Sequence, residues 1–133
     1  MPQAVYVPKP NHEKNIKIDW EQRYFDATKA AMQGILSNTH FDELSTNGFD
    51  KCNVIGNAIS YGKTFIAKIK TSNNIYNDKY EQRYFDAALS SLISILSNYK
   101  FDELSPEGFY KVNIVNIACE YADELLKFYK QTI

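Results

Sequence analysis

The sequence lacks any hydrophobic run that approaches the roughly 20 apolar residues of a membrane-spanning helix. Its first eight residues also lack the basic segment and the long apolar stretch that define a signal peptide. From these two absences we expect a protein that does not enter a membrane and that stays in the cytoplasm.

Cysteine is scarce, with only Cys52 and Cys119 in 133 residues. At an offset of 60 residues, Cys52 aligns with Val112 and Cys119 with Ile59, so each occupies a position that is aliphatic elsewhere in the chain. We therefore predict two buried free thiols that act as small hydrophobic side chains, in preference to a disulfide or a nucleophile.

The ingredients of catalysis are sparse as well. The two histidines, His12 and His40, have no second ligand at a spacing that suits a metal ion. No glycine-rich loop follows a predicted strand, which argues against a phosphate-binding loop of the nucleotide-binding type. The sequence thus predicts no cofactor and favours a protein that is not an enzyme.

An excess of positive charge is missing too. The net charge is −1, from 15 basic and 16 acidic residues, which argues against general nucleic-acid binding. Residues 1–71 carry nine Lys or Arg against seven Asp or Glu, and residues 72–133 carry six against nine, so the halves are +2 and −3. The opposite signs would help the halves dock together, although we favour sequence drift as their origin.

What the chain does contain is the same unit twice. Residues 20–70 align with residues 80–130 at a constant offset of 60 and without a gap, and 23 of the 51 positions are identical. The longest identical segment is Glu-Gln-Arg-Tyr-Phe-Asp-Ala, at residues 21–27 and 81–87. A repeat of fixed period predicts that both copies adopt the same local structure.

Each unit has the pattern of a helical hairpin. Apolar residues recur at the 3.6-residue helical period in both halves of the unit. Capping residues predict helix starts at Asp19, Asp78 and Ser105, and the first helix of each unit should end near Asn38 or Asn98.

The predicted fold is all-α, with two tandem helical hairpins packed as a four-helix bundle around a pseudo-twofold axis. Residues 1–18 form an extended N-terminal segment in this prediction. Residues 19–133 form a single helical domain, made of repeat 1 (19–71) and repeat 2 (78–131).

The repeated polar residues are the first candidate site. A guanidinium binds phosphate or carboxylate groups in a bidentate manner, so the two arginines predict twin contacts for a partner or a small anionic ligand. The alternative, which we favour, is a pair of surface ion pairs, Arg23 with Asp26 and Arg83 with Asp86, copied by duplication. The candidate residues are Gln22, Arg23, Phe25 and Asp26 in repeat 1, and Gln82, Arg83, Phe85 and Asp86 in repeat 2.

The repeated phenylalanines widen the apolar stripe of the first helix in each unit. Phe25 and Phe85 lie about 90° from the centre of that stripe on a helical projection. Either the bundle closes over this side of both helices or a partner covers it, and we favour closure by the bundle. Because the repeat has no gap, we expect paired residues such as Tyr61 and Tyr121 to superpose.

One constellation suggests an enzyme. Glu120 and Asp123 form an E-x-x-D pattern, which is similar to half of the magnesium site of all-α nucleoside triphosphate pyrophosphatases. Residues that align at the offset of 60 are sister residues, and the sisters of this pair are Ser60 and Lys63, which cannot bind a metal ion. A solvated acidic helix face is the interpretation that we favour.

A longer pattern points elsewhere. Arg83–Ala88 and Tyr121–Leu126 form R-Y-F-x-A-A and Y-A-D-x-L-L, a combination that resembles small phage- and prophage-encoded helical proteins of Bacteroidetes. Repeat 1 departs from the second element at residues 61–66. The resemblance implies a non-enzymatic accessory protein in the host cytoplasm that binds a host protein or sequesters a small ligand. The alternatives are a metal-dependent nucleotide pyrophosphohydrolase and a self-associating structural module, with Phe25 and Phe85 at the interface of a homodimer.

Overall fold

A computed structural model of the chain describes residues 17–38, 51–72, 76–98 and 111–132. The regular structure in these residues is entirely α-helical and forms a four-helix bundle, which confirms the all-α prediction. The helices are α1 (Trp20–Ser37), α2 (Lys51–Thr71), α3 (Asp78–Ser97) and α4 (Lys111–Thr132).

Several predictions lie outside the described residues. These are the extended form of the first 16 residues and the helix start at Ser105. The division into an N-terminal segment and a single helical domain therefore stays a prediction.

The ends of the first helix in each repeat follow from their capping residues. Asp19 accepts a hydrogen bond from the backbone N–H of Gln22 at 3.0 Å, as predicted. In α3, however, the cap is Asn77, whose side chain accepts from the N–H of Tyr80 at 3.2 Å, so the prediction of Asp78 was wrong by one residue. Asp78 is instead the first residue of the helix. Both helices end where the sequence indicated, before Asn38 and Asn98.

Two antiparallel hairpins make up the bundle, α1 with α2 (hairpin 1) and α3 with α4 (hairpin 2). In hairpin 1, the Lys70 ammonium near the end of α2 lies 5.2 Å from the ring of Trp20 at the start of α1. In hairpin 2, the Arg83 guanidinium lies 5.5 Å from the ring of Tyr129 in the last turns of α4. Gly62 permits the close packing of hairpin 1, because a Cβ there would lie only 2.3 Å from the Thr28 hydroxyl oxygen.

The two hairpins pack with α1 parallel to α3. Near their N-terminal ends, Arg23 of α1 binds Glu81 of α3. Just past their C-terminal ends, the Asn38 amide donates to the carbonyl oxygens of Leu96 and Asn98, at 2.9 and 2.8 Å. Equivalent ends of the two helices are therefore adjacent.

Each hairpin buries one common row of α2 or α4 residues. The row is spaced four residues apart, so it lies along one side of the helix. It consists of Val54, Ala58, Gly62 and Ile66 in hairpin 1, and of Ile114, Ala118, Ala122 and Leu126 in hairpin 2. Cys119 is buried beside this row, but Cys52 is exposed, as is its sister Val112, so the prediction of two buried thiols was half wrong. Cys52 lies about 200° around the helix from Val54 and so points away from the row.

The predicted pseudo-twofold axis is not confirmed, because paired residues differ in burial. Tyr61 is fully buried whereas Tyr121 is 63% exposed, and Phe25 is 59% exposed whereas Phe85 is 2% exposed. A twofold axis would give sister residues the same surroundings. Hairpin 1 and hairpin 2 instead meet through different sides, as successive units of a repeat stack do.

Candidate functional site

Arg23 is the centre of the contact between the hairpins. It is 8% exposed, although the sequence placed it on the polar side of α1, and that placement was wrong. Its Nη1 pairs with one carboxylate oxygen of Glu81, and its Nη2 donates to the other at 2.8 Å and to the Gln82 side-chain oxygen at 2.9 Å. This bidentate geometry suits a guanidinium and a carboxylate that are both removed from water.

Aromatic rings complete the surroundings of Arg23. The guanidinium carbon lies 4.3 Å from the centre of the Phe85 ring and 5.4 Å from that of Trp20. Phe85 in turn packs against Phe65 of α2, with ring centres 5.9 Å apart. The bundle therefore closes over this side of α3 but not over that of α1, where Phe25 is 59% exposed, so the prediction of closure over both helices was half wrong.

The sister arginine has a different role. Arg83 is half-buried, and its guanidinium lies over the rings of Tyr80 and Tyr129 at 5.6 and 5.5 Å. Arg23 binds Glu81, and the sister of Glu81 is Glu21. Glu21 is exposed on α1 of the same chain. The two arginines are identical in local sequence but not in their contacts.

The predicted helix-surface ion pairs do not form. Asp26 accepts a hydrogen bond from the side-chain amide of Gln22 at 2.9 Å, and Asp86 accepts from that of Gln82 at 3.0 Å. The i,i+4 spacing brings these side chains together on the helix surface. These hydrogen bonds are the same in both repeats and leave each arginine to contact other residues.

A cleft of about 600 Å³ lies between the N-terminal ends of α1 and α3. The Arg23 guanidinium lines this cleft, but it is already bound to the Glu81 carboxylate and to Gln82. At Arg23, an anion would have to compete with a buried carboxylate for the same donors, which argues against Arg23 as an anion contact. The predicted residues in its lining are Gln22, Arg23, Asp26, Gln82 and Phe85.

The residues of the metal-site alternative are not assembled. Glu120 and Asp123 are both exposed, and Asp123 accepts a hydrogen bond from the Tyr76 hydroxyl at 2.7 Å. Glu81, an acid on the neighbouring helix, is engaged by Arg23. Within the described residues, no three His, Cys, Asp or Glu side chains gather where they could hold a metal ion.

Three ionisable side chains, Cys119, Tyr84 and Tyr76, have a raised pKa, which favours their neutral forms. Burial raises the pKa of the Cys119 thiol, which disfavours the thiolate that a nucleophile needs. Burial also raises the pKa of Tyr84, and burial together with the Asp123 carboxylate raises that of Tyr76. These shifts fit packing and hydrogen bonding better than acid–base chemistry.

Large apolar side chains at the two ends of the stack are the main surface feature. Nine are exposed in the described helices, and seven of these align with a buried sister residue. The outer face of hairpin 1 contains Phe25, Leu36, Ile55 and Ile59, whose sisters Phe85, Leu96, Val115 and Cys119 are buried. The outer face of hairpin 2 contains Tyr121, Leu125 and Tyr129, whose sisters Tyr61, Phe65 and Ile69 are buried.

These outer faces have defined shapes. A groove of about 550 Å³ runs along the outer face of hairpin 1, between Phe25 and Met32 of α1 and Ile55 and Ile59 of α2. A second depression, of about 510 Å³, lies on the outer face of hairpin 2 and is lined by serines of α3 and by Tyr121. The first is the more apolar of the two.

Sequence reasoning missed two residues of the hairpin contact. Gly34 lets α1 approach α3, because a Cβ there would lie 2.7 Å from the Leu96 Cβ. Asn38 bridges the ends of both helices with its side-chain amide. The sister of Gly34 is Ser94, and this difference was the available signal.

Comparisons with protein-family models, with curated proteins and with solved structures find no match for this chain. No helix among the described residues has the length and apolar character to cross a membrane. The surfaces and contacts above are therefore the basis for the functional argument.

Proposed function

We propose that this chain is a non-enzymatic protein-binding module that binds an α-helical surface through the outer face of hairpin 1. The observation that carries the proposal is the exposure of Phe25, Leu36, Ile55 and Ile59 on one hairpin, at positions that the other hairpin buries. Exposed apolar patches of this kind mark interaction sites.

The shape of this face supports a helical partner. In hairpin 2, the sister residues Phe85 and Leu96 lie buried at the contact with hairpin 1, near Arg23 and Asn38. In hairpin 1, Phe25, the sister of Phe85, borders a groove between two helices, into which another helix can pack. The sequence resemblance implies an accessory protein of a phage or mobile element, and in such a protein this face would engage another protein chain.

Two other functions have less support. The Arg23 guanidinium is already bound to Glu81, which removes the main donor for an anionic ligand. Glu120 and Asp123 are exposed side chains without a third acidic partner in the described helices. Within the described residues, the acidic pair therefore lacks the convergent ligands that metal catalysis requires.

Site-specific photo-crosslinking in the cells that produce the protein tests the proposal. A photoreactive phenylalanine analogue replaces Phe25 in one variant and Val112 in the control, because both side chains are 59% exposed. Val112 is a suitable control because its sister Cys52 is also exposed, so neither repeat buries that position.

We expect a discrete crosslinked protein complex from position 25 and none from position 112. A crosslink from position 25 only to another segment of the same chain would refute the proposal, because the face would then be part of the bundle. The same conclusion follows if both positions give equal, diffuse crosslinking or none.

A further inference from the structure

The contact between the two hairpins involves one side of each hairpin. Both unused sides carry charged and apolar side chains of the kinds that form that contact. From this we infer that the partner of the outer face of hairpin 1 is the outer face of hairpin 2 in a second copy of the chain. The copies dock head to tail and repeat between chains the contact that exists within each chain. This inference rests on the proposed function, because it names the partner of the same face.

Charge complementarity supports this partner. Inside the chain, Arg23 binds the carboxylate of Glu81 and the side-chain oxygen of Gln82. The sisters of those two acceptors, Glu21 and Gln22, are exposed on hairpin 1. The sister of the donor, Arg83, lies on hairpin 2, so that a second copy can bring it to Glu21.

The apolar residues match in the same register. Within the chain, Phe85 receives the Arg23 guanidinium at 4.3 Å and packs against Phe65 at 5.9 Å. In the contact between copies, Phe25 takes the place of Phe85, and Leu125 takes the place of Phe65. Both are more than half exposed in the single chain, which leaves them available for this contact.

In the part of the chain that the structure describes, a stack of two repeats also leaves both ends open. In repeat proteins each unit is stabilised by its neighbours, and terminal units normally carry a polar outer face. Here the outer face of hairpin 1 is apolar instead, with Phe25, Leu36, Ile55 and Ile59 exposed. A contact between two different faces continues from copy to copy, and it produces a ring or a filament.

One residue makes the contact between copies looser than the contact within the chain. Gly34 allows α1 to approach α3, and a Cβ there would lie 2.7 Å from the Leu96 Cβ and 2.9 Å from the Ile93 carbonyl oxygen. Its sister on the outer face of hairpin 2 is Ser94, which does carry a Cβ. The copies must therefore sit slightly farther apart, and their association is weaker for that reason.

Two complementary variants test the head-to-tail arrangement in the purified full-length chain. Phe25→Lys disrupts only the outer face of hairpin 1, and Leu125→Lys disrupts only that of hairpin 2. Sedimentation velocity from micromolar to millimolar concentration measures association. Circular dichroism verifies that both variants remain folded.

We expect the wild-type chain to form species larger than a dimer as its concentration rises, and each variant alone to remain a monomer. An equimolar mixture of the variants should form a dimer and stop there, because one intact face of each kind remains. If Leu125→Lys still dimerises, or if the mixture stays monomeric, the head-to-tail contact is refuted.

A gain-of-function variant sharpens the test. Ser94→Gly removes the Cβ that keeps the copies apart, and we expect it to tighten their association about tenfold. The control is Asn116→Gly, because a Cβ at its sister Gly56 meets no atom within 4 Å. Both substitutions place the glycine of repeat 1 into repeat 2, but only Ser94→Gly should change association.

The outcomes separate this inference from the proposed function. If the wild-type chain is monomeric at every concentration, self-docking is refuted. In that case a crosslink from position 25 to another protein still supports the binding module. If position 25 crosslinks only within its own chain, both fail together.

Discussion

The two hairpins carry the same residues at their most distinctive positions, yet they use them in opposite ways. Phe85 is buried under the Arg23 guanidinium, whereas Phe25 is mostly exposed to solvent. Tyr61 is fully buried, whereas Tyr121 is mostly exposed. At these positions, a side chain that is buried in one hairpin is exposed in the other.

This difference shows that the repeats are stacked and not paired face to face. In a stack, every unit has one side toward the preceding unit and another toward the following one. Hairpin 2 contacts hairpin 1 through the side that contains Phe85. Hairpin 1 contacts hairpin 2 through the side that contains Arg23 and Tyr61. The remaining two sides have no neighbour within the described bundle, and they are the outer faces.

The largest expected effect comes from truncating the same residue in the two hairpins. Phe85→Ala should lower the free energy of unfolding by about 3–5 kcal/mol, because it leaves a cavity between Arg23 and Phe65. Phe25→Ala should lower it by less than about 1 kcal/mol, because that ring is 59% exposed. Urea unfolding at low protein concentration, where copies do not associate, measures both values. Equal losses would show that the hairpins are equivalent after all.

The arginines provide the second comparison. Arg23→Met should cost about 3 kcal/mol, because it leaves the Glu81 carboxylate buried without its partner. Adding Glu81→Gln should recover most of that loss, since a neutral amide is far less costly to bury. Arg83→Met should cost less than about 1 kcal/mol, because Arg83 is half-buried and lies over two tyrosine rings.

Thermal or urea unfolding of the wild-type chain, Arg23→Met, the double variant and Arg83→Met checks this order of stabilities. If the double variant is no more stable than Arg23→Met, the cost does not come from an unpaired carboxylate. If Arg23→Met and Arg83→Met lose equal stability, the two arginines have equivalent surroundings and the stack is wrong.

The fold could be predicted from the sequence because its determinants are local. The helical period, Asp19 as a cap and the Asn residues after Ser37 and Ser97 all act within a few residues of the backbone they organise. The gapless repeat then indicated two similar hairpins, although it could not specify how they meet. The missed cap at Asn77 is a one-residue error of the same local kind.

The site could not be predicted in the same way, because residues 21–27 and 81–87 are identical. No local rule can bury Arg23 and leave Arg83 half-buried, since only the neighbouring hairpin distinguishes them. The informative positions are those where the repeats differ. Small apolar residues, Ala30, Ala31 and Gly34, occupy the side of α1 that packs closely, and serines replace all three on α3.

The smallest expected effect concerns that close packing. The test is whether the free energy of unfolding falls or rises. Gly34→Ala should lower the free energy of unfolding by about 1 kcal/mol, because the added Cβ would overlap Leu96 and the Ile93 carbonyl, which outweighs the gain in helix propensity. Gly56→Ala adds the same methyl group where no atom lies within 4 Å, so it should raise the free energy of unfolding by about 1 kcal/mol. Ser94→Ala, at the sister position on the outer face, should change it by no more than about 0.5 kcal/mol. Urea unfolding of the three variants at low concentration separates these values. A stabilising Gly34→Ala would mean that α1 and α3 are farther apart than the contact between the hairpins requires.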